Sequence, residues 1–247
     1  VIDTSHLSID QVVEEILLYY RTKDHRSAWQ QGRKIKLIYR LTLFFTWIIF
    51  RLFYSHKVYG LEHFYPKGAL IAANHTSFLD PPILSISWPQ EVHFLARESL
   101  FKNKIFGSYI RSLNTHPVSG AVADVSVFKT ICALLKEGKK VILFPEGRRS
   151  EDGRLGEIKP GITMLAARTQ AAIIPTYIQG TFEIWPRARL FPKWKGKTAC
   201  IFGSAIYWSD FAHLEKKEAQ EQMAKKLEES ISNLKQWWEL GAQGIPP

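Results

Sequence analysis

Cysteine is scarce in this chain of 247 residues: only Cys132 and Cys200 are present. Two cysteines so far apart build neither a disulfide framework nor a thiolate metal cluster, so a reducing compartment is the default expectation. Long apolar runs are also missing. Within the aromatic stretch 39–54 the longest run without a charge, 41–50, has ten residues. A spanning helix needs about 20 apolar residues, which disfavours a simple transmembrane segment. The opening Val1-Ile2-Asp3-Thr4 has neither a basic nor an apolar signal region, and no signal peptide is expected there. No His-Glu-x-x-His motif occurs, which leaves no pattern for a zinc site, and no metal or cofactor is expected. No Gly-x-Ser-x-Gly is present, which removes the usual serine hydrolase reading. Gly196-Lys197-Thr198 has the ending of a P-loop, but Phe191 stands where the earlier glycine belongs.

Acid is absent in one place in particular. Between Asp24 and Glu62 there is none, while Arg26, Arg33, Lys34, Lys36, Arg40, Arg51 and Lys57 are all basic. These seven cations are most of the net charge of +10. The same stretch is aromatic, with Tyr39, Phe44, Phe45, Trp47, Phe50, Phe53 and Tyr54. Cations at the ends and aromatics between them suit a helix lying in a bilayer interface. The charge favours an anionic membrane surface over nucleic acid as partner, because it is concentrated beside Phe and Trp. An earlier helix is expected from Ser8, where Ser8 and Gln11 have capping-box spacing and Ile9, Val12, Val13, Ile16, Leu17 and Tyr20 follow the helical period. Gly32 is placed near a turn. Residues 1–55 thus read as a two-helix membrane-interface appendage, and 56–247 as the main domain. The plainer alternative is two amphipathic helices packed on that domain, their cations merely solvated.

The remainder alternates strand and helix signals. Short β-rich apolar runs lie at 69–73, 92–96, 141–144, 172–178 and 198–202, and helical patterns at 122–135 and 215–238. The fold class is α/β, a mixed sheet with helices on both faces.

The first strand runs directly into Asn74-His75-Thr76-Ser77-Phe78-Leu79-Asp80. Ligand sites in open α/β sheets gather outside the carboxyl ends of strands, which is where His75 falls. A neutral imidazole can take the proton of an attacking hydroxyl. A carboxylate on its other nitrogen fixes the tautomer and stabilises the imidazolium. Four intervening residues let the chain fold back so that Asp80 meets His75. Apart from Ser77 there is no serine or cysteine nearby, so the nucleophile is expected to be a substrate hydroxyl. The alternative is an ordinary strand-end histidine and a helix-capping aspartate. Phe78, Leu79, Ile83, Leu84 and Ile86 either line an acyl groove or are plain core.

The strand Val141-Ile142-Leu143-Phe144 ends in Pro145-Glu146-Gly147-Arg148-Arg149-Ser150. Guanidinium forks match phosphate geometry, and Gly147 permits close backbone approach. Glu146 would accept from a substrate hydroxyl or hold an arginine. A solvated basic turn is the alternative.

Together these segments resemble the glycerolipid acyltransferase family that includes the 1-acyl-sn-glycerol-3-phosphate acyltransferases. The resemblance runs from about 60 to 180. It rests on His-x4-Asp at His75 and Asp80 and on Phe144 to Ser150 as the Phe-Pro-Glu-Gly-Thr-Arg-Ser motif. Arg97-Glu98-Ser99-Leu100-Phe101 on to Gly107 is similar to the second family motif, and Ile174-Pro175-Thr176-Tyr177-Ile178 to the fourth. The resemblance implies acyl transfer from acyl-CoA or acyl carrier protein to the 2-hydroxyl of lysophosphatidic acid on the cytoplasmic face of the cell membrane. It implies His75 as general base, Asp80 as its orienting partner, and Arg97, Glu146, Gly147 and Arg149 as binders of the glycerol phosphate. Arg148 replaces the usual Thr, and Gly120 a usual Arg, so one phosphate contact is expected to move to Arg148, Lys104 or Arg111. Rival expectations are another acceptor (glycerol 3-phosphate or a different lysophospholipid) and a non-catalytic lipid- or phosphate-binding protein.

Overall fold

A computed structural model describes residues 37–118 and 125–247. The helix expected from Ser8, the turn at Gly32, the cations before Leu37 and the start of the helix expected from Val122 lie outside the described residues. The elements run α1 (Leu37–Phe53), β1 (Lys57–Tyr59), β2 (Ala69–Ala73), α2 (Asp80–Ser87), β3 (Val92–Arg97), α3 (Lys104–Ser112), β4 (Thr115–Val118) and α4 (Val125–Lys136). There follow β5 (Lys140–Leu143), α5 (Gly161–Thr169), β6 (Ala172–Gln179), α6 (Thr181–Ile184), β7 (Ala199–Phe202) and α7 (Lys216–Glu239).

The strands form one sheet in the order β1-β7-β6-β2-β5-β3-β4. All neighbours are parallel except β6 and β7, which makes the sheet mixed as expected. Parallel sheets bury both faces, so their central strands read as continuous apolar runs. β2 is the central case, buried along its whole length. Leu70 and Ala72 face a core built with α4, α5 and α7, which includes Ile131, Leu165, Met223, Leu227 and Ile231. Ile71 and Ala73 face the opposite core with Phe50, Ile83, Leu84 and Trp88. The stripe Ala219, Met223, Leu227, Ile231 and Leu234 gives α7 its inner face at helical spacing. Ile83 and Leu84 therefore belong to the core rather than to an open groove.

α1 is bound to the sheet along one side only. Tyr39 and Phe50 are buried, and the Tyr39 hydroxyl accepts from Val92 N–H at 3.2 Å. Leu37, Leu41, Phe44, Phe45, Trp47, Ile49 and Leu52 are exposed. Apolar residues thus occupy the outer side of a helix whose inner side is already packed. No helix among the described residues is long and apolar enough to cross a membrane.

Just after α1, His56 is buried, with Nδ1 3.0 Å from Thr198 Oγ1 and Nε2 2.9 Å from Ser87 Oγ. Burial lowers its pKa from 6.5 to about 4. The unfolded chain therefore binds the proton first, so this contribution is complete above pH 6.5 and is lost as pH falls toward 4. Between pH 7 and pH 5 the loss is on the order of 2 kcal/mol. Urea melts at both pH values should show a smaller acid-induced loss for His56→Gln than for the parent chain.

Candidate active site

β2 and β5 are parallel neighbours, and Ala72 pairs with Leu143. His75 and Glu146 each stand three residues beyond that pair. The register therefore delivers both loops to the same place at the carboxyl edge of the sheet, and hydrogen bonds lock them together. The His75 backbone N–H donates to Glu146 Oε1 at 2.8 Å. The His75 carbonyl accepts from Ser150 N–H at 2.7 Å. The other oxygen of Glu146 accepts from Gly156 N–H at 2.9 Å. Burial raises the Glu146 pKa, and these two N–H donors oppose the shift. Asn74 ties the same loop to β6, accepting from Ile178 N–H at 2.7 Å and donating to its carbonyl at 3.1 Å. Gly147 has φ of +73°, which favours glycine, and nothing crowds the place of a Cβ there.

The imidazole is held as firmly as the backbone. His75 Nδ1–H donates to Asp80 Oδ2 at 2.8 Å, and Asp80 is fully buried. Its ring stacks on Phe144 with centroids 3.9 Å apart. Asp80 Oδ2 also accepts from the N–H groups of Thr76 and Ser77, at 2.7 and 2.8 Å. Pro81 and Pro82 suit the first turn of α2, where a carboxylate meets the positive helix end. Asp80 thus bonds the ring and the loop before its helix, and caps no N–H of the helix itself. With Nδ1 engaged, Nε2 is the nitrogen left for an incoming hydroxyl. Ser77 is not a rival nucleophile: it is fully buried and its hydroxyl donates to the Trp185 carbonyl at 2.8 Å.

The arginines separate by position. The Arg149 guanidinium carbon lies 3.6 Å from the centroid of the Phe78 ring. Its Nη1 is buried and has no hydrogen-bond partner among the described residues. Burial lowers the Arg149 pKa; the charges of Arg187 and Arg97 act in the same direction, and Asp80 opposes them. Arg149, Arg187 and Arg97 thus gather near Asp80, with one guanidinium donor unmet among the described residues. Arg148 is exposed on the tip of the loop. Lys104 lies apart, on a surface groove with Ile38, Ile105 and Tyr109. Arg111 sits over Phe101, 4.7 Å from its ring centroid.

A model of the Acyltransferase family matches residues 55–179. The chain belongs to the acyltransferase family. It is 35% identical over 181 residues to the 1-acyl-sn-glycerol-3-phosphate acyltransferase of Bacillus subtilis strain 168, a match covering 72% of this chain and 87% of that protein. A chloroplastic 1-acyl-sn-glycerol-3-phosphate acyltransferase of Arabidopsis thaliana is 35% identical over 138 residues, which are 54% of this chain and 38% of that longer protein. The crystal structure of the 1-acyl-sn-glycerophosphate (LPA) acyltransferase PlsC from Thermotoga maritima shares the fold. The TM-score is 0.61, at 24% identity, over 85% of this chain and 88% of that one.

Two residues that adjoin these loops were not read from the sequence. Arg187 follows Arg149 by 38 residues and belongs to no motif; only its place beside Trp185 and Pro186, a small basic and aromatic cluster, marks it. Gly156 contributes a backbone N–H, which no side-chain pattern reveals.

Proposed function

We propose that this acyltransferase moves a fatty acyl group from an acyl thioester to the free 2-hydroxyl of 1-acyl-sn-glycerol 3-phosphate, giving phosphatidic acid. The observation that carries this reading is the juxtaposition of an oriented imidazole with a half-buried arginine whose Nη1 has no hydrogen-bond partner among the described residues. His75 Nε2 accepts the hydroxyl proton as the oxygen attacks the thioester carbonyl. The tetrahedral adduct collapses, the carbon–sulfur bond breaks, and the imidazolium returns its proton to the departing thiolate. Asp80 keeps Nδ1 protonated throughout. Arg149, with Arg97 beside it, takes the phosphate. Arg148 is the exposed cation available to the headgroup. Glu146 and Gly147 serve the glycerol phosphate by holding the loop and the His75 backbone in register. The donor is acyl-CoA or acyl carrier protein. The outward apolar side of α1, with Arg40 and Arg51 exposed on it, rests on the cytoplasmic leaflet without crossing it.

The test is an assay of the purified enzyme with lysophosphatidate, glycerol 3-phosphate and lysophosphatidylcholine, each with both thioester donors. Phosphatidate from lysophosphatidate at the highest kcat/KM is expected; preference for either other acceptor would overturn the substrate assignment. Arg149→Ala should raise KM for the phosphorylated acceptor about tenfold or more and leave KM for the donor nearly unchanged. Arg149→Lys should rescue poorly, because an ammonium cannot grip phosphate as a fork. Equal changes for both substrates would make Arg149 structural.

A further inference from the structure

The segment 187–197, between α6 and β7, has no part in the chemistry above apart from its first residue. It carries Arg187, Arg189, Lys193, Lys195 and Lys197 and no acid, and all five cations are exposed. Among them Leu190, Phe191 and Trp194 are exposed by 78%, 70% and 84%. A floppy loop would show such side chains incidentally, but this backbone is pinned. Trp185 Nε1 donates to the Arg189 carbonyl at 3.0 Å. Lys193 N–H donates to the Ile184 carbonyl at 3.0 Å, and Gly196 N–H to the Phe53 carbonyl at 3.2 Å. The Tyr54 hydroxyl donates to the Lys193 carbonyl at 3.0 Å. The segment is therefore held while its three large apolar side chains point away from the protein.

Its two ends say what it serves. One end is the catalytic loop: Pro186 bridges to Ser77, and Trp185 packs 5.2 Å from Phe78. The other end is the close of α1, where Leu52 is 72% exposed. The close of α1 is thus tied to 187–197, whose other end adjoins the Ser77–Phe78 loop.

We propose that residues 187–197 are a second membrane contact, inserting Leu190, Phe191 and Trp194 among the acyl chains of an anionic leaflet while the surrounding cations meet its phosphates. This rests on the membrane reading of α1 and adds to it. One helix leaves the enzyme free to roll about its axis, whereas a second contact on the far side of the helix end sets the catalytic mouth toward the bilayer. Aromatic and aliphatic side chains flanked by snorkelling cations have the chemistry of a bilayer interface, and continuity with α1 favours lipid over an acidic carrier protein.

The test uses the full chain and phosphatidylglycerol–phosphatidylcholine vesicles. Replacing Leu190, Phe191 and Trp194 together by Ser should weaken vesicle binding about tenfold or more. Turnover of detergent-dispersed substrate should stay within about twofold. Unchanged vesicle affinity would overturn the proposal. Phe44→Ser with Phe45→Ser on α1 is the companion variant. If it loses vesicle binding and the loop variant does not, 187–197 is no contact and the α1 reading stands; if the parent enzyme fails to bind vesicles, both readings fall. Lys193→Glu with Lys195→Glu should weaken vesicle binding. A raised KM for carrier-bound donor in detergent, with vesicle binding intact, would assign the segment to carrier docking and overturn the lipid assignment. Should the triple variant not fold, an environment-sensitive dye on Phe191→Cys in a Cys132→Ser background gives an independent readout, since Cys200 is buried. A blue shift and quenching by lipid-borne nitroxide are expected; a dye that stays in water overturns the proposal.

Discussion

Replacing His75 by Ala should reduce acyl transfer by about 10²–10⁴ or more, with the fold intact. The side chain is 18% exposed and, among the described residues, hydrogen-bonds to Asp80, so its removal opens a small hollow at the rim rather than a cavity in the core. The backbone N–H and carbonyl of residue 75, which hold the two loops together, survive the change. Loss of rate without loss of thermal stability is the expected pair of readouts. Of the nearby groups, Ser77 is buried and Glu146 is occupied by two backbone donors. Near-normal turnover would mean that another group takes the proton.

Asp80→Asn should cost about as much in kcat, for a different reason. An amide can present either an oxygen or an NH2 group to Nδ1. Asp80 Oδ2 already accepts from Thr76 and Ser77 N–H, so those two donors fix the amide oxygen in the same place. Nδ1–H then still has an acceptor, but no negative charge stands by when the imidazolium forms. A fall of about 10³–10⁴ in kcat with little change in KM is expected. Crystallographic or NMR evidence of an unmoved ring, together with the lost rate, would separate charge from position. Full activity would show that the carboxylate only builds the loop.

The meeting of His75 with Asp80 was legible because its elements are local. Ala69–Ala73 is apolar at every position and stops where Asn74 begins, so both the strand and its exit could be read. His75 and Asp80 then fall within one turn of chain, and a short spacer limits where the carboxylate can go. The core helix of Lys216–Glu239 was legible for the same reason, since its inner stripe repeats at helical spacing. The edge strands Lys57–Tyr59 and Thr115–Val118 were not. They are too short to show alternation, and β4 contains Pro117, which argues against a strand unless it lies at an edge. Helix Gly161–Thr169 was not read either: it opens on Gly161 behind Pro160, two residues that commonly punctuate loops.

The role of Glu146 shows a different limit. Its place in the second loop was evident, and a substrate hydroxyl or an arginine was the partner expected. Its two oxygens instead accept from the backbone of His75 and Gly156. That role depends on the register of β2 against β5, which no local pattern encodes. Arg187 is hidden for a related reason, since only the path of the chain after β6 brings it toward Arg149.

The idea that a substrate hydroxyl attacks directly, with no acyl-enzyme, is open to one decisive count. Purified enzyme is given acyl thioester with and without lysophosphatidate, and thiol and phosphatidate are measured together. One thiol per phosphatidate, with no thiol released in the absence of acceptor, is the expected result. A burst of thiol without acceptor, matched by acyl label on the protein, would contradict it.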